Sequence, residues 1–280
     1  MIETICICGA GTMGSGIAQL CAQNGFYTIL FDLNETILEN ARHNIEKNLL
    51  RLVDKQKISA ADNDATVSRL RFVKDTNDCI ADVVIEAIIE KADSKIALFN
   101  QLAEINHGDV IFASNTSSLS ITAIQSKVLH PNRVAGMHFF NPAPIMKLVE
   151  VISGVHTSEA VAQEIFDLCI QLGKTPVRCK DAPGFIVNRI ARHYYLEAMR
   201  LVEDGVASFE TVDNIMEATG FKMGPFRLMD LIGMDINLSV SKGLYEAFDH
   251  EIRFKPSYLQ IEKVEKGDLG KKTGKGFYTY

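Results

Sequence analysis

The 280-residue sequence contains no apolar run long enough to cross a membrane. It also lacks an excess of basic residues, and its formal net charge of −6 argues against a broad nucleic-acid-binding surface. We find no internal repeat and no low-complexity tract. A glycine-rich motif begins at residue 9 and leaves no room for a targeting peptide, so we expect a cytoplasmic protein. The hydrophobic content of 47% is enough for one large core or two moderate ones.

The cysteines are scattered and do not form paired motifs. Two of them, Cys6 and Cys8, share one face of a predicted strand, but no second pair at zinc-ligand spacing accompanies them. The sequence therefore predicts reduced, mostly buried thiols and no metal site. The six positions are Cys6, Cys8, Cys21, Cys79, Cys169 and Cys179.

Apolar strand runs alternate with helical patterns through the first part of the chain, which predicts an α/β fold with a mostly parallel, Rossmann-type sheet. One pair of strands, 133–139 and 147–152, is joined by a loop too short for a helical crossover, so we expect these two to be antiparallel. The other predicted strands are 2–8, 26–31, 70–73, 82–86, 110–113 and 175–179, and the predicted helices include 12–24, 34–58, 93–105 and 158–172.

The pattern becomes all-helical after the segment Asp181-Ala182-Pro183-Gly184. We therefore predict two domains, 1–183 and 184–280, with helices at 208–218, 225–247 and 257–266 in the second. The apolar segment 226–238 is interpreted as core, with part of a subunit interface as the alternative.

The first predicted strand leads into a complete G-x-G-x-x-G motif that opens a helix, and Asp32 ends the second strand. In this context the three glycines permit a tight turn, close approach of the backbone to a pyrophosphate, and close packing of helix on strand. Asp32 would accept hydrogen bonds from ribose hydroxyls, and the absence of a nearby Arg favours NAD over NADP. The alternative is a glycine-rich turn without a ligand. The motif comprises Gly9, Ala10, Gly11, Thr12, Met13 and Gly14.

A histidine at the end of a strand is the candidate acid–base group. The midpoint between His138 and Glu150 lies at residue 144, inside the short loop, so a symmetric hairpin would place the two side chains opposite each other. A carboxylate beside an imidazole fixes its tautomer and favours the imidazolium, which suits proton transfer coupled to hydride transfer. The alternative is a histidine that only packs.

Other polar residues also fall at the predicted binding edge of the sheet. Ser117 belongs to a polar loop, 114–118, that could bind substrate or simply cap a helix starting near Leu119. Asn188 follows the domain junction, and Glu90 and Lys95 flank the turn after strand 82–86, where surface charge is the alternative. A basic stripe could hold acyl-carrier phosphates or be a solvated helix face; it contains Lys47, Arg51 and Lys55.

Taken together and in this order, the motifs resemble the L-3-hydroxyacyl-CoA dehydrogenase family over the whole length of the chain. They are the glycine motif at 9–14, Ala113–Ser118, Gly136–Pro142, Asp181–Asn188 and Lys272–Tyr278. The resemblance implies NAD-dependent interconversion of (S)-3-hydroxyacyl-CoA and 3-oxoacyl-CoA by a homodimer formed largely through the helical domain. Two rival functions remain open: a dehydrogenase for free β-hydroxy acids, and a dinucleotide-binding protein without turnover.

The resemblance also implies roles for individual residues. His138 would be the acid–base group with Glu150 as its partner, and Ser117 and Asn188 would orient the substrate oxygens. NAD contacts would come from the glycine motif, with Thr12 and Met13, and from Asp32, Glu90, Lys95, Asn141 and Lys272. Lys55 would contact the CoA portion, and Asn48 stands at a neighbouring CoA-contacting position that is Ser in some relatives.

Overall fold

The computed structural model describes residues 2–280. It divides into two compact units, of which the first ends at Ala182 and the second comprises Pro183–Tyr280. No helix within residues 2–280 has both the length and the apolar character needed to span a bilayer.

The first unit is built on one mixed sheet, and the predicted α/β class with one antiparallel pair is confirmed. Its strand order is β3-β2-β1-β4-β5-β6-β7-β8, and β6 and β7 are the antiparallel neighbours. Over residues 2–280 the strands are Thr4–Cys8 (β1), Tyr27–Phe31 (β2), Leu70–Val73 (β3), Val83–Glu86 (β4), Ile111–Ser114 (β5), Val134–Phe139 (β6), Leu148–Ser153 (β7) and Thr175–Lys180 (β8).

The central strands are buried because helices cover the sheet. Ile5 and Ile7 point to one face, where they join a core that includes residues of the first two helices, and Cys6 and Cys8 point to the other face. The strands β3 and β8 form the edges of the sheet. None of the six residues of β8 is fully buried.

The helices of the first unit differ from the prediction at one place. The predicted helix 34–58 ends at Asp54, and a further helix begins after Ser59, which the sequence analysis missed. Ser59 and Asp62 form a reciprocal capping box that starts this helix, and Gln56 takes a positive φ of 54° in the turn before it. The helices are Thr12–Gln23 (α1), Glu35–Asp54 (α2), Ala60–Ser68 (α3), Ala92–Ile105 (α4), Ile121–Gln125 (α5) and Glu159–Gln171 (α6).

The second unit is helical, as predicted, but the single helix predicted over 225–247 is wrong. Gly233 takes a φ of 105°, which no residue of a right-handed helix adopts, and it separates two helices. Within the apolar segment 226–238, Phe226 and Met229 are buried, whereas Leu231 and Ile236 are about half exposed. The helices are Val187–Glu203 (α7), Phe209–Ala218 (α8), Pro225–Ile232 (α9), Met234–Ala247 (α10) and Tyr258–Glu265 (α11).

Candidate active site

The strand order contains a topological switch point between β1 and β4, because the chain continues from β1 to β2 on one side and returns to β4 on the other. In open α/β sheets, ligands bind in the crevice at the carboxyl ends of the strands that flank such a point. The glycine motif follows β1, Asp32 follows β2, and His138 lies near the carboxyl end of β6. The fold therefore brings the glycine motif, Asp32 and His138 to the same edge of the sheet.

The three glycines of the motif differ in why a side chain is absent there. Gly9 has a φ of 100°, and a Cβ there would lie 2.6 Å from the carbonyl oxygen of Ala87. A Cβ on Gly14 would lie 1.7 Å from the carbonyl oxygen of Gly9, so only glycine lets α1 start this close to β1. At Gly11, by contrast, an added Cβ would meet no described atom within 4 Å. This open space lies at the N-terminus of α1, where Thr12 and Met13 form the first turn.

The start of α1 suits an anionic ligand. Gly11 is its N-cap and provides no side-chain hydrogen bond, and the first turn contains no acidic residue. The first amide groups of a helix carry partial positive charge and favour phosphate oxygens. The open space at Gly11 and these amides fit the pyrophosphate of a dinucleotide.

Asp32 fastens the glycine loop to the end of β2. One carboxylate oxygen accepts a hydrogen bond from the amide of Ala10 at 2.9 Å, and the other accepts one from the amide of Asn34 at 2.9 Å. Each carboxylate oxygen has capacity for a further donor, so the hydroxyl groups of a ribose can still be accepted here. Asp32 therefore has a structural role besides the ribose contact predicted for it.

His138 and Glu150 form a buried pair across the antiparallel strands. The predicted register is confirmed, since His138 lies opposite Glu150 in the β6–β7 ladder. Nδ1 of His138 lies 2.7 Å from a carboxylate oxygen of Glu150, and the two residues are 6% and 1% exposed. The carboxylate favours the tautomer with its proton on Nδ1, in which Nε2 is the acceptor nitrogen of the ring. The ring of Phe140 lies 4.6 Å from the imidazole, centroid to centroid.

A second buried ion pair supports the carboxyl ends of β4 and β5. Nζ of Lys95 lies 2.6 Å from Glu86, and the two residues are 1% and 0% exposed. Glu86 also accepts hydrogen bonds from Ser114 Oγ at 2.7 Å and from the amide of Ile88 at 2.7 Å. Burial raises the pKa of Glu86, and the nearby Lys95 charge and these hydrogen bonds oppose that rise without cancelling it.

Glu90 organises the polar loop that contains Ser117. It accepts hydrogen bonds from Thr116 Oγ1 at 2.5 Å, from the amide of Ser117 at 3.1 Å and from Ser118 Oγ at 3.0 Å. Lys95 lies 3.1 Å from its other oxygen. Burial acts to raise the pKa of Glu90, but the Lys95 charge and the hydrogen bonds outweigh burial and lower it. Glu90 thus remains an anion that holds the loop in one conformation.

The alternative role for the polar loop was to cap a helix, and the residue that caps the following helix is Ser120 rather than Ser117. The helix α5 begins after Ser120, whose side chain accepts a hydrogen bond from the amide of Ala123. Ser117 therefore lies outside the cap, in the loop between β5 and α5. Its role in substrate binding stays a prediction.

Sequence reasoning missed several residues that position these groups. The sequence places Glu86 only at the end of a predicted strand, although an acid that ends a run of apolar residues indicates a buried charge that needs a partner. Asn115 belongs to the predicted polar loop, but its positioning contact is not predicted: its side-chain oxygen accepts a hydrogen bond from the amide of Phe139 at 2.8 Å, which ties the Ser117 loop to the strand that contains His138. No periodicity in the sequence indicates that contact.

The loop between β6 and β7 lies against the first turns of α1. Nζ of Lys174 donates hydrogen bonds to the carbonyl oxygens of Ala143 and Met146, at 2.6 and 2.8 Å. A Cβ on Gly16 would lie 3.2 Å from Pro144, which shows how closely the loop approaches α1. Asn141, a predicted NAD contact, belongs to this loop and is exposed.

The remaining predicted residues lie elsewhere in the two units. Asn48 and Lys55 are exposed on α2 and at its C-terminal end, with the basic stripe of Lys47 and Arg51. In the second unit, Asn188 lies in the first turn of α7, and Nζ of Lys272 lies 2.6 Å from both carboxylate oxygens of Asp235. Their contacts with substrate or cofactor stay predictions.

Comparison with known proteins gives matches to both units. Residues 4–182 match the family model described as 3-hydroxyacyl-CoA dehydrogenase, NAD binding domain. Residues 184–280 match the model described as 3-hydroxyacyl-CoA dehydrogenase, C-terminal domain. Almost the whole chain is therefore covered by models of one family.

Individual relatives agree with these models. A 3-hydroxyadipyl-CoA dehydrogenase of Escherichia coli is 46% identical over 100% of this chain, which spans only 59% of that protein's length. A probable 3-hydroxybutyryl-CoA dehydrogenase of Bacillus subtilis is 41% identical, with 100% of this chain and 98% of the relative covered. The crystal structure of (S)-3-hydroxybutyryl-CoA dehydrogenase from Ralstonia eutropha matches with a TM-score of 0.96 and 39% identity, covering 100% and 99% of the two chains.

Proposed function

The chain belongs to the family of NAD-dependent 3-hydroxyacyl-CoA dehydrogenases, and we propose that it interconverts 3-hydroxybutyryl-CoA and acetoacetyl-CoA. The observation that carries this proposal is the buried His138–Glu150 pair at the same sheet edge as the glycine motif. The four-carbon acyl group follows from the 3-hydroxybutyryl-CoA dehydrogenases of Bacillus subtilis and Ralstonia eutropha to which the chain is similar.

In the proposed oxidation, NAD bound at the glycine motif supplies the hydride acceptor. Nε2 of His138 removes the proton from the 3-hydroxyl group, and the proton stays on the ring as an imidazolium. Glu150, at 2.7 Å from Nδ1, stabilises that cation. In the reverse direction the imidazolium returns the proton to the developing alkoxide. Ser117 and Asn188 orient the substrate oxygens in this proposal.

The acyl carrier is proposed to bind along α2. Lys47, Arg51 and Lys55 are spaced so that they share one side of the helix, and all three are exposed. Their ammonium and guanidinium groups suit the phosphates of CoA, with Asn48 beside them. We also propose that two copies associate through the second unit, where Leu231 and Ile236 expose apolar surface.

The activity is tested by following NADH oxidation with different acceptors. We expect turnover with acetoacetyl-CoA, and much less with free acetoacetate, because the free acid lacks the phosphates that the basic stripe would hold. NADPH is expected to be a poor substitute, since the Asp32 carboxylate would repel a 2′-phosphate. Longer 3-oxoacyl-CoA esters and 3-oxoadipyl-CoA, tested in parallel, measure the acyl preference. Turnover with free acetoacetate but not with acetoacetyl-CoA would refute the proposal. So would the absence of turnover with every acceptor tested.

The coupling of His138 to Glu150 is tested by the variant Glu150→Gln. The amide removes the negative charge that stabilises the imidazolium, so the inflection of the pH–rate profile should move to lower pH. The rate in the oxidative direction rises with pH through that inflection, because the base must be unprotonated. Measuring kcat against pH in both directions checks the expected shift.

The matched control is Glu164→Gln, an exposed residue of α6, which should leave the profile unchanged. Glu150→Asp retains the charge and should restore the inflection at least in part. A profile that is the same for Glu150→Gln and the unaltered protein would mean that the two side chains are not coupled in catalysis.

A further inference from the structure

Three thiols meet beneath the glycine motif although they are distant in the sequence. Cys6 and Cys8 extend from the same face of β1, and their sulfur atoms lie 3.9 Å apart. Cys79 follows a short 3₁₀ turn, Thr76–Asp78, and its sulfur joins the other two, so that all three sulfur atoms lie within 4.8 Å of one another. All three side chains are completely buried. We call this group the three-thiol cluster.

The spacing of the sulfur atoms suits one metal ion at their centre. With metal–sulfur bonds of about 2.3 Å, trigonal coordination places the sulfur atoms about 4 Å apart. The observed Cys6–Cys8 separation of 3.9 Å is close to that value, and the Cys79 sulfur lies within 4.8 Å of both. The three ligand groups are thus nearly arranged before an ion arrives.

The ligand number identifies the kind of ion. Zinc in a structural site takes four ligands, and among residues 2–280 no His, Asp or Glu completes a fourth position in this group. Soft thiolate ligands select Cu(I), for which three sulfur ligands suffice. We propose that Cys6, Cys8 and Cys79 form a three-coordinate binding site for Cu(I). No change of oxidation state is involved: each ligating thiol releases its proton to the solvent as its sulfur–copper bond forms.

The loop that contains Cys79 provides a route for the ion. Its neighbours Asp78 and Ile80 are exposed, the latter by 53%, so a local opening of this surface segment uncovers the cluster. Cys79 currently donates a weak hydrogen bond from its thiol to the carbonyl oxygen of Asp75, at 3.8 Å. Its sulfur also shares hydrogen bonds with the Cys6 and Cys8 thiols, and these contacts are exchanged for sulfur–copper bonds when the ion binds.

The proposal is tested by anaerobic titration of the reduced full-length chain with Cu(I) in competition with the chelator bicinchoninate. We expect one tightly bound Cu(I) per chain, and X-ray absorption of the loaded protein should give three sulfur neighbours and no nitrogen or oxygen neighbour. Cys79→Ser should weaken binding by about 100-fold or more, because loss of even an outer-shell partner weakens metal sites 10–100-fold. This readout is independent of dehydrogenase activity.

Cys179→Ser is the matched control, because Cys179 is the most exposed of the six thiols and lies outside the cluster. It should bind Cu(I) as tightly as the unaltered protein. Binding that survives Cys79→Ser, binding that depends on Cys179, or a spectrum with two sulfur neighbours would overturn the proposal. If Cys79→Ser does not fold, as judged by its thermal melt, the X-ray absorption spectrum of the unaltered protein decides the question alone.

Discussion

Replacement of His138 by alanine is expected to lower kcat by about 10²–10⁴-fold while NADH binds with unchanged affinity. The imidazole is the group proposed to exchange the proton, and the glycine motif that would hold the cofactor makes no use of it. Stopped-flow measurement of hydride transfer and fluorescence titration with NADH separate the two effects. A kcat close to that of the unaltered protein would remove His138 from the acid–base role.

Alanine also leaves the buried Glu150 without its partner at Nδ1, which can destabilise the fold. His138→Asn serves as the second variant, because its amide nitrogen occupies the position of Nδ1 and can still donate a hydrogen bond to Glu150, but it cannot act as an acid or base at neutral pH. We expect it to be as inactive as His138→Ala and more stable in a thermal melt. His107→Ala, an exposed histidine in the loop before β5, is the control and should retain full activity.

Addition of one methyl group at Gly14 is expected to abolish NADH binding and to destabilise the first unit. The Cβ would lie 1.7 Å from the carbonyl oxygen of Gly9, so α1 must move away from β1. Overpacking of this kind costs about 1–3 kcal/mol or more, and the shift also displaces the amides of the first helical turn. Gly14→Ala is checked by chemical denaturation and by NADH titration.

Two further alanine variants separate stability from binding. Gly11→Ala meets no described atom within 4 Å and keeps an ordinary backbone conformation, so it should fold normally and lose NADH affinity because its methyl group occupies the space for the pyrophosphate. Gly108→Ala, in the turn before β5, also meets nothing and should change neither property. Normal NADH affinity in both Gly11→Ala and Gly14→Ala would contradict a binding role for the motif.

The features that sequence alone could predict depend on short-range regularities. The strands follow from apolar runs, and the His138–Glu150 register follows from the length of one loop, because the midpoint of a hairpin fixes which residues face each other. The helix that starts at Ser208 follows from a local cap, since this side chain accepts a hydrogen bond from the amide of Thr211. None of these requires knowledge of distant parts of the chain.

The features that escaped prediction depend on the tertiary structure or on a single backbone angle. Helical periodicity continues through Gly233, and only its positive φ separates α9 from α10. The pairing of Glu86 with Lys95 and the approach of Cys79 to Cys6 arise from packing between segments that no sequence period connects. Such contacts become visible only when the fold is known.

The edge strand β8 bears on how this sheet avoids self-assembly. The amides of Thr175 and Asp181 donate inward to the carbonyl oxygens of Lys147 and Ser153, so the amide positions of residues 176, 178 and 180 face outward. Proline has no amide proton, and the other two outward positions carry the charged Arg178 and Lys180. A strand of another copy would find no donor at position 176 and charged side chains at positions 178 and 180, of which Arg178 pairs with Glu159. The edge formed by β8 is therefore a poor template for pairing with a strand of another copy.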